Sequence, residues 1–321
     1  MPELPEVTVI SEDVAALAVG REVLRAAVFR PDVTNVEPVE FGRLLVGRTL
    51  RATGRRGKII VLDFGDVVGL VHLVISGRVL RLPEWREPDR MNTAVLEFEG
   101  GPLVLAFTRL WLGYFDLYEP GEEERHPLIS RLGPDPLSED FTVEYLASAF
   151  SRKAGVKVLL LDQSVVAGLG NIYVDEILFS AGIHPTRKAS TLSRDEIQNI
   201  HAATRDILRR AIELRGTTFD SYHDAFGETG RFQHQLKVFA RAGEPCPECG
   251  TEIMKSRVAG RGTHTCPACQ PQERSAVGHQ QPGQKLKAEA ARPERADRLK
   301  YYSGAASISL GFALATFWAS S

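Results

Sequence analysis

The first 245 residues contain no cysteine, and all four cysteines of the chain fall between positions 246 and 269. That excludes a disulfide framework through the body of the protein, and in a reducing compartment such clustering favours a metal site. A long apolar run is also missing at the start. Residues 1–25 carry Glu3, Glu6, Glu12, Asp13 and Glu22, which argues against a signal peptide and sets the expectation of a cytoplasmic protein. Net charge is small, at −2, so composition alone names no polyanionic partner. What is present is ordinary for a globular chain: 321 residues, 43% hydrophobic and 25% charged, long enough for two or three domains. The charge is uneven, however. Residues 1–140 hold 16 Lys/Arg against 23 Asp/Glu, and residues 141–321 hold 23 against 18. This asymmetry hints at an acidic partner on the later half.

The apolar pattern changes along the chain. Residues 2–18 open with prolines and then take helical spacing. Between 23 and 120 come short β-type runs at Val23–Phe29, Ile59–Phe64, Val67–Val71, Val79–Leu82, Ala94–Phe98 and Leu103–Phe107. Turn residues separate them, so the rhythm predicts a sandwich or barrel. Pro120-Gly121, Glu122–Glu124 and Gly133–Pro136 read as a linker. From about 138 the period is helical. Ser193 with Glu196 forms a capping-box pattern ahead of a long amphipathic stretch that Gly216 ends. A shorter helix is predicted over Ile172–Ala181, entered through Gly168-Leu169-Gly170-Asn171. Residues 272–321 read as a disordered tail. Its last 21 residues are long enough for a tail anchor, but their Ser, Gly and Ala content favours a flexible terminus.

The cysteines are spaced Cys246-x2-Cys249, then sixteen residues, then Cys266-x2-Cys269. Two CxxC knuckles present four soft sulfurs, which suits one tetrahedral Zn²⁺ and leaves no open catalytic position. A redox dithiol is the weaker alternative, since two knuckles occur together. Residues 231–264 carry six Lys/Arg against three Glu. A hairpin presenting such cations suits phosphate contact, although a solvated charged face has the same composition.

The start of the chain is Met1-Pro2-Glu3-Leu4-Pro5-Glu6. Removal of Met1 exposes the amine of Pro2, and an α-amine has a pKa of about 8 against about 10.4 for lysine. Such an amine attacks C1′ of a sugar, and Glu3 beside it can shuttle protons. Taken alone, PELPE reads first as a rigid lead-in to a helix. Gly54–Lys58 (GRRGK) reads as a basic turn leading into a strand, with Lys58 a candidate general acid and phosphate contact.

PELPEV at the N-terminus, GRRGK near 58, GLGNIYVDE at 168–176 and the terminal cysteine module, in this order, resemble the formamidopyrimidine-DNA glycosylase/endonuclease VIII family over residues 1–270. The start and the loop Gly216–Phe232 are closer to the formamidopyrimidine branch. The resemblance implies an α+β multidomain fold: an N-terminal β-sandwich with flanking helices (2–134), a helix-two-turns-helix domain (138–235) and a zinc-finger β-hairpin (238–271). It implies a bifunctional N-glycosylase and abasic-site lyase, acting as a monomer on double-stranded DNA with damaged bases or abasic sites. By that resemblance Pro2 is the Schiff-base nucleophile, Glu3 the proton donor and acceptor at the sugar, and Lys58 a proton donor in β-elimination. Arg261 assists δ-elimination and binds phosphate. Asn171, with Lys157, contacts the phosphate beside the lesion, His72 contacts the DNA backbone, and Glu176, an acidic residue near the site, belongs to the same DNA-binding set. Cys246, Cys249, Cys266 and Cys269 hold the zinc.

The chain departs from the family pattern at three places. HLVISG, with Ile75, stands where HLGMSG or HLGMTG is usual. Thr108-Arg109-Leu110-Trp111-Leu112-Gly113 stands where DPRRFG is usual, and Arg90–Thr93 replaces KHDH. These changes touch lesion probing rather than the nucleophile. Ile75 with Leu110 or Trp111 is expected to supply an apolar wedge, and Arg109 a DNA contact. Two other readings remain open: a catalytically idle damaged-DNA-binding protein, and a zinc-ribbon interaction protein unrelated to repair.

Overall fold

The computed structural model describes residues 2–219 and 222–272. The expected tail, with its candidate anchor, lies outside the described residues apart from position 272. Among the described residues no helix is long and apolar enough to cross a membrane.

The chain opens with α1, Leu4–Ala18. Pro5 sits in its first turn, where a missing N–H costs nothing. Val7, Ile10, Val14 and Ala18 recur at helical spacing and enter one core, while Leu4 enters a second. Thus α1 is shared by both halves of the molecule. The first half is a sandwich of two antiparallel sheets. One is ordered β1 (Val23–Val28), β6 (Asn92–Phe98), β7 (Leu103–Thr108), β5 (Arg78–Leu82). The other is ordered β2 (Ala52–Arg56), β3 (Ile59–Asp63), β4 (Val68–His72), β8 (Tyr114–Tyr118). Their facing side chains, with α1 and α2 (Pro38–Leu45), bury Phe41, Phe64, Phe98, Phe107 and Phe115.

All six strand runs expected from sequence are strands. The pattern missed β2 and β8. In β2, Ala-Thr-Gly-Arg-Arg carries no apolar alternation. It is a strand because α1 and β3 flank it: Ser11 Oγ donates to Gly54 O, and Arg56 pairs with Ile59. Gly54, Arg55 and Arg56 are therefore strand residues, and only Gly57-Lys58 forms the turn. Gly57 has φ +56°, the left-handed value suited to the first position of a tight hairpin.

The second half contains α3 (Val143–Ala149), α4 (Val156–Leu161), α5 (Asn171–Ser180) and α6 (Arg194–Glu213) around the second core. The capping box at α6 forms as expected, with Ser193 Oγ accepting from Glu196 N and Glu196 Oε2 from Ser193 N. Strands β9 (Met254–Val258) and β10 (Arg261–Thr265) make the terminal hairpin. Its own core is small: Val238, Cys246, Ile253 and Cys266 with Phe179 of α5.

Candidate active site

Pro2 and Glu3 lie buried where the two halves meet. Two contacts hold them there. Leu4 N donates to Gly168 O at 3.0 Å, and Ile172 N, at the start of α5, donates to Glu3 Oε1 at 3.0 Å. This close approach explains the glycines of GLGN. A Cβ on Gly170 would stand 2.3 Å from Glu3 Cδ, and one on Gly168, itself at φ +89°, would stand 2.8 Å from Leu4 Cβ. Gln163 pins the same turn, accepting from Gly168 N and donating to Leu169 O.

Burial pushes the Glu3 carboxyl up to about 7, against the lowering influence of nearby Lys58 and two N–H donors of α5. Its Oε2 is buried without a hydrogen-bond partner among the described residues. Burial, with some help from Arg261, lowers the Lys58 ammonium, while Glu3 opposes the shift. Lys58, Arg56, His72, Gln163, Gly170 and Arg261 surround a cavity of about 230 Å³. Its wall thus brings three of the expected residues, Lys58, His72 and Arg261, beside the Gly170 turn against which the Glu3 carboxylate packs. Burial brings His72 down to about 4, so it is neutral at physiological pH. Asn171 donates from Nδ2 to Gly262 O at 2.9 Å, tying α5 to the hairpin next to Arg261.

Two expected DNA contacts are corrected. Lys157 is fully buried: its Nζ bonds Asp175 Oδ1 at 2.6 Å, Thr263 Oγ1 at 2.8 Å and Gly262 O at 3.2 Å. It fastens the hairpin to α5 and has no free donor face for a phosphate. Glu176 is likewise buried, and its carboxylate accepts from the N–H groups of Lys237, Val238 and Phe239. Its place is under the crossing into the zinc module. The sequence also singled out no role for Glu6. Its Oε2 accepts from Glu3 N at 2.9 Å and its Oε1 from Tyr173 Oη at 2.5 Å and Thr217 N at 2.8 Å. The one available signal was its i+3 spacing from Glu3, the capping-box distance.

The two divergent loops stand together. Ser76 Oγ donates to Arg109 O at 3.4 Å, and both loops contain left-handed non-glycine residues, Val74 (φ +50°) and Arg109 (φ +55°). Ile75, Trp111 and Leu112 are exposed by 56%, 46% and 70%. Leu110 is fully buried in the sandwich core and drops out of the expected wedge. Arg109 is half-buried. Trp111 Nε1 donates to Arg90 O at 3.3 Å, so the Arg90–Thr93 segment supports the second loop.

The four cysteine sulfurs lie within 4.8 Å of one another, with contacts of 3.8 Å (Cys246–Cys269), 3.4 Å (Cys249–Cys266) and 3.5 Å (Cys249–Cys269). Zn–S bonds of about 2.3 Å in a tetrahedron put sulfurs about 3.8 Å apart. The donor set fits one structural zinc, which closes a module with little core of its own.

Three domain families match the chain in order. The formamidopyrimidine-DNA glycosylase N-terminal domain covers residues 1–110, the formamidopyrimidine-DNA glycosylase H2TH domain 132–223, and the zinc finger found in FPG and IleRS 243–272. The chain belongs to the formamidopyrimidine-DNA glycosylase family. Formamidopyrimidine-DNA glycosylase from Symbiobacterium thermophilum is 42% identical over 274 residues, 84% of this chain and 90% of that one. The Bacillus subtilis relative is 40% identical over 275 residues, covering 84% and 99%. Among solved structures, the MutM (Fpg) protein from Thermus thermophilus superposes with a TM-score of 0.76 at 35% identity, covering 85% of this chain and all of that one. The Lactococcus lactis Fpg, in complex with an abasic site containing DNA, superposes at 0.77 with 33% identity, covering 84% and 99%. The family's zinc finger spans all four cysteines, in agreement with the sulfur geometry.

Proposed function

We propose that this protein is a base-excision repair enzyme that removes a damaged base from duplex DNA and then cleaves the strand as an abasic-site lyase, acting as a monomer. The observation that carries the reading is Glu3: a buried carboxyl raised to about 7, with one oxygen unpartnered among the described residues, in the residue that follows Pro2 and within electrostatic reach of Lys58. A base inside the stack cannot be reached, so the nucleotide must leave the helix first. The cations at Lys58, Arg56 and Arg261 suit the phosphates that frame it.

The Pro2 amine, freed of Met1, attacks C1′; the glycosidic bond breaks and the departing base takes the amine's proton. Glu3 then protonates the ring oxygen, the C1′–O4′ bond opens, and an iminium joins Pro2 to C1′. The iminium acidifies C2′–H. The Glu3 carboxylate left by the ring opening takes that proton as the C3′–O bond breaks and the 3′-phosphate leaves, and a second elimination, assisted by Arg261, expels the 5′-phosphate. Lys58, with its lowered pKa, serves as the proton donor. Zinc plays no part in these steps; it keeps the hairpin carrying Arg261 folded.

Borohydride reduction on a duplex with one abasic site tests this. The protein is expected to form a covalent adduct at its first mature residue. Pro2→Gly should reduce trapping severely, and retention of Met1 should abolish it. Equal trapping with Met1 in place would end this reading.

A further inference from the structure

Two consecutive carboxylates of α5 grip the zinc module on both of its limbs. Glu176 accepts from the N–H groups of Lys237, Val238 and Phe239, where the chain enters the module. Asp175 Oδ2 accepts from His264 N at 2.9 Å, on the returning strand β10. The first turn of the same helix reaches Glu3 through Ile172 N and the hairpin through Asn171 Nδ2. One helix therefore sets where Glu3 and the hairpin stand relative to each other.

Arg261 comes directly after the turn Ala259-Gly260 and is itself exposed at the cavity wall. Strand β9 beside it is exposed or half-exposed at all five positions, so its packing does little to fix the tip. The nearest fixed points are the next three residues, and all three are bonded to the wholly buried Lys157–Asp175 pair. Gly262 O accepts from Lys157 Nζ at 3.2 Å, Thr263 Oγ1 accepts from it at 2.8 Å, and His264 N donates to Asp175. Thr263 Oγ1 in turn donates to Arg261 O at 3.2 Å. The cysteines close the module internally, whereas this pair ties it to the helix that touches Glu3.

We propose that the Lys157–Asp175 pair, with Thr263, is a positioning device for Arg261 that sets how large a share of nicked strands undergoes the second elimination. The proposal rests on the glycosylase/lyase reading above. In that second step water takes the C4′ proton, the electron pair of C4′–H forms the C4′=C5′ bond, and the C5′–O bond breaks with its pair leaving on the phosphate. Arg261 has to stand at that phosphate as its charge builds. The iminium at Pro2 and the first elimination are served by Glu3 and Lys58, so they do not depend on the register of the hairpin.

The test follows a duplex with one abasic site under single-turnover conditions. One elimination leaves an unsaturated aldehyde on the upstream strand, two leave a 3′-phosphate, and a denaturing gel separates them. Thr263→Val removes the hydroxyl at nearly constant size and keeps the ion pair; Asp175→Asn removes the carboxylate charge. Each is expected to slow the second elimination about tenfold or more, so that aldehyde ends accumulate, while borohydride trapping and the first elimination stay within about twofold. Thr263→Ser, which keeps the hydroxyl, should restore the phosphate end, and zinc content should not change. An unchanged ratio of the two ends in Thr263→Val, or an equal loss of both eliminations, would overturn the proposal. Loss of zinc from Thr263→Val would overturn it too, because the hydroxyl would then serve the folding of the module. An unaltered protein that nicks the strand but leaves only aldehyde ends would overturn it and leave the lyase reading standing. No nick and no adduct from the unaltered protein would overturn the reading itself.

Discussion

The Lys157 ammonium lies 2.6 Å from Asp175 Oδ1, with both side chains wholly removed from solvent. Asp175 Oδ2 also accepts from His264 N, so this pair joins α4 and α5 to strand β10 of the zinc hairpin. Replacing Lys157 by Met leaves a buried carboxylate without its partner, which typically costs about 3–5 kcal/mol. A lower denaturation midpoint is expected. The salt dependence of DNA binding should keep its slope, because no phosphate contact is lost. A slope reduced by about one would return Lys157 to the DNA interface.

Glu3 governs two pH dependences. Its folded pKa of about 7 lies above the unfolded value. The unfolded carboxyl therefore ionises first, and stability falls as pH rises from the unfolded value to about 7, then levels off. The uncharged Glu3→Gln variant should gain in thermal midpoint relative to the parent between pH 5 and pH 8. Activity has the opposite kind of limit: protonated Glu3 is depleted above about 7, while the Pro2 amine is deprotonated only toward about 8. The rate of base excision should be bell-shaped, and Glu3→Gln, which has no proton to give, should depress it at every pH and leave a residual rate without the alkaline limb. A thermal gain independent of pH would refute the assigned ionisation.

Gly170 has an ordinary extended backbone, so its need for glycine is purely steric. Gly170→Ala puts a methyl 2.3 Å from Glu3 Cδ, and the carboxyl must move. Trapping on abasic DNA is expected to fall at least tenfold, since sub-ångström placement of a proton donor sets its efficiency, with zinc content unchanged. Retained trapping would mean that Glu3 tolerates displacement.

Trp111 and Leu112 stand exposed where the family places arginine and phenylalanine. An indole has no guanidinium with which to bond a base edge, and such bonding carries about 1–3 kcal/mol of discrimination. For one fixed lesion, excision rates opposite the four bases should differ by less than about tenfold. Trp111→Arg is expected to widen that spread. A strong preference for one opposite base in the unaltered protein would refute the apolar wedge.

Much of this was legible in the residue order, and the reason differs by element. Strands β1, β3, β4, β5, β6 and β7 carry apolar runs that each demand a buried face, and the Ser193–Glu196 cap is a local bond between neighbours. The CxxC knuckles are local too, since two residues between thiolates suffice to bring them to one ion. Strand β2 was hidden because its pairing energy comes from β3 and from Ser11, forty-three residues away from Gly54. Lys157 and Glu176 carry charges that any linear pattern places at the surface; only the approach of the hairpin and of residues 237–239 buries them.

The amino-acid order by itself determined the chemistry on offer: an amine at Pro2, a carboxyl beside it, cations at 58 and 261, and four sulfurs in two local pairs. Tertiary structure decided which of these groups face one another and in what state of protonation. Glu3 is raised to about 7 because its carboxyl is buried against the start of α5, which outweighs the lowering influence of Lys58. Lys157 keeps a buried ammonium because Asp175 of α5 and Thr263 of β10 are brought to it. Desolvation and long-range charge pairing depend on which surfaces pack together, and the linear pattern of residues does not encode that contact.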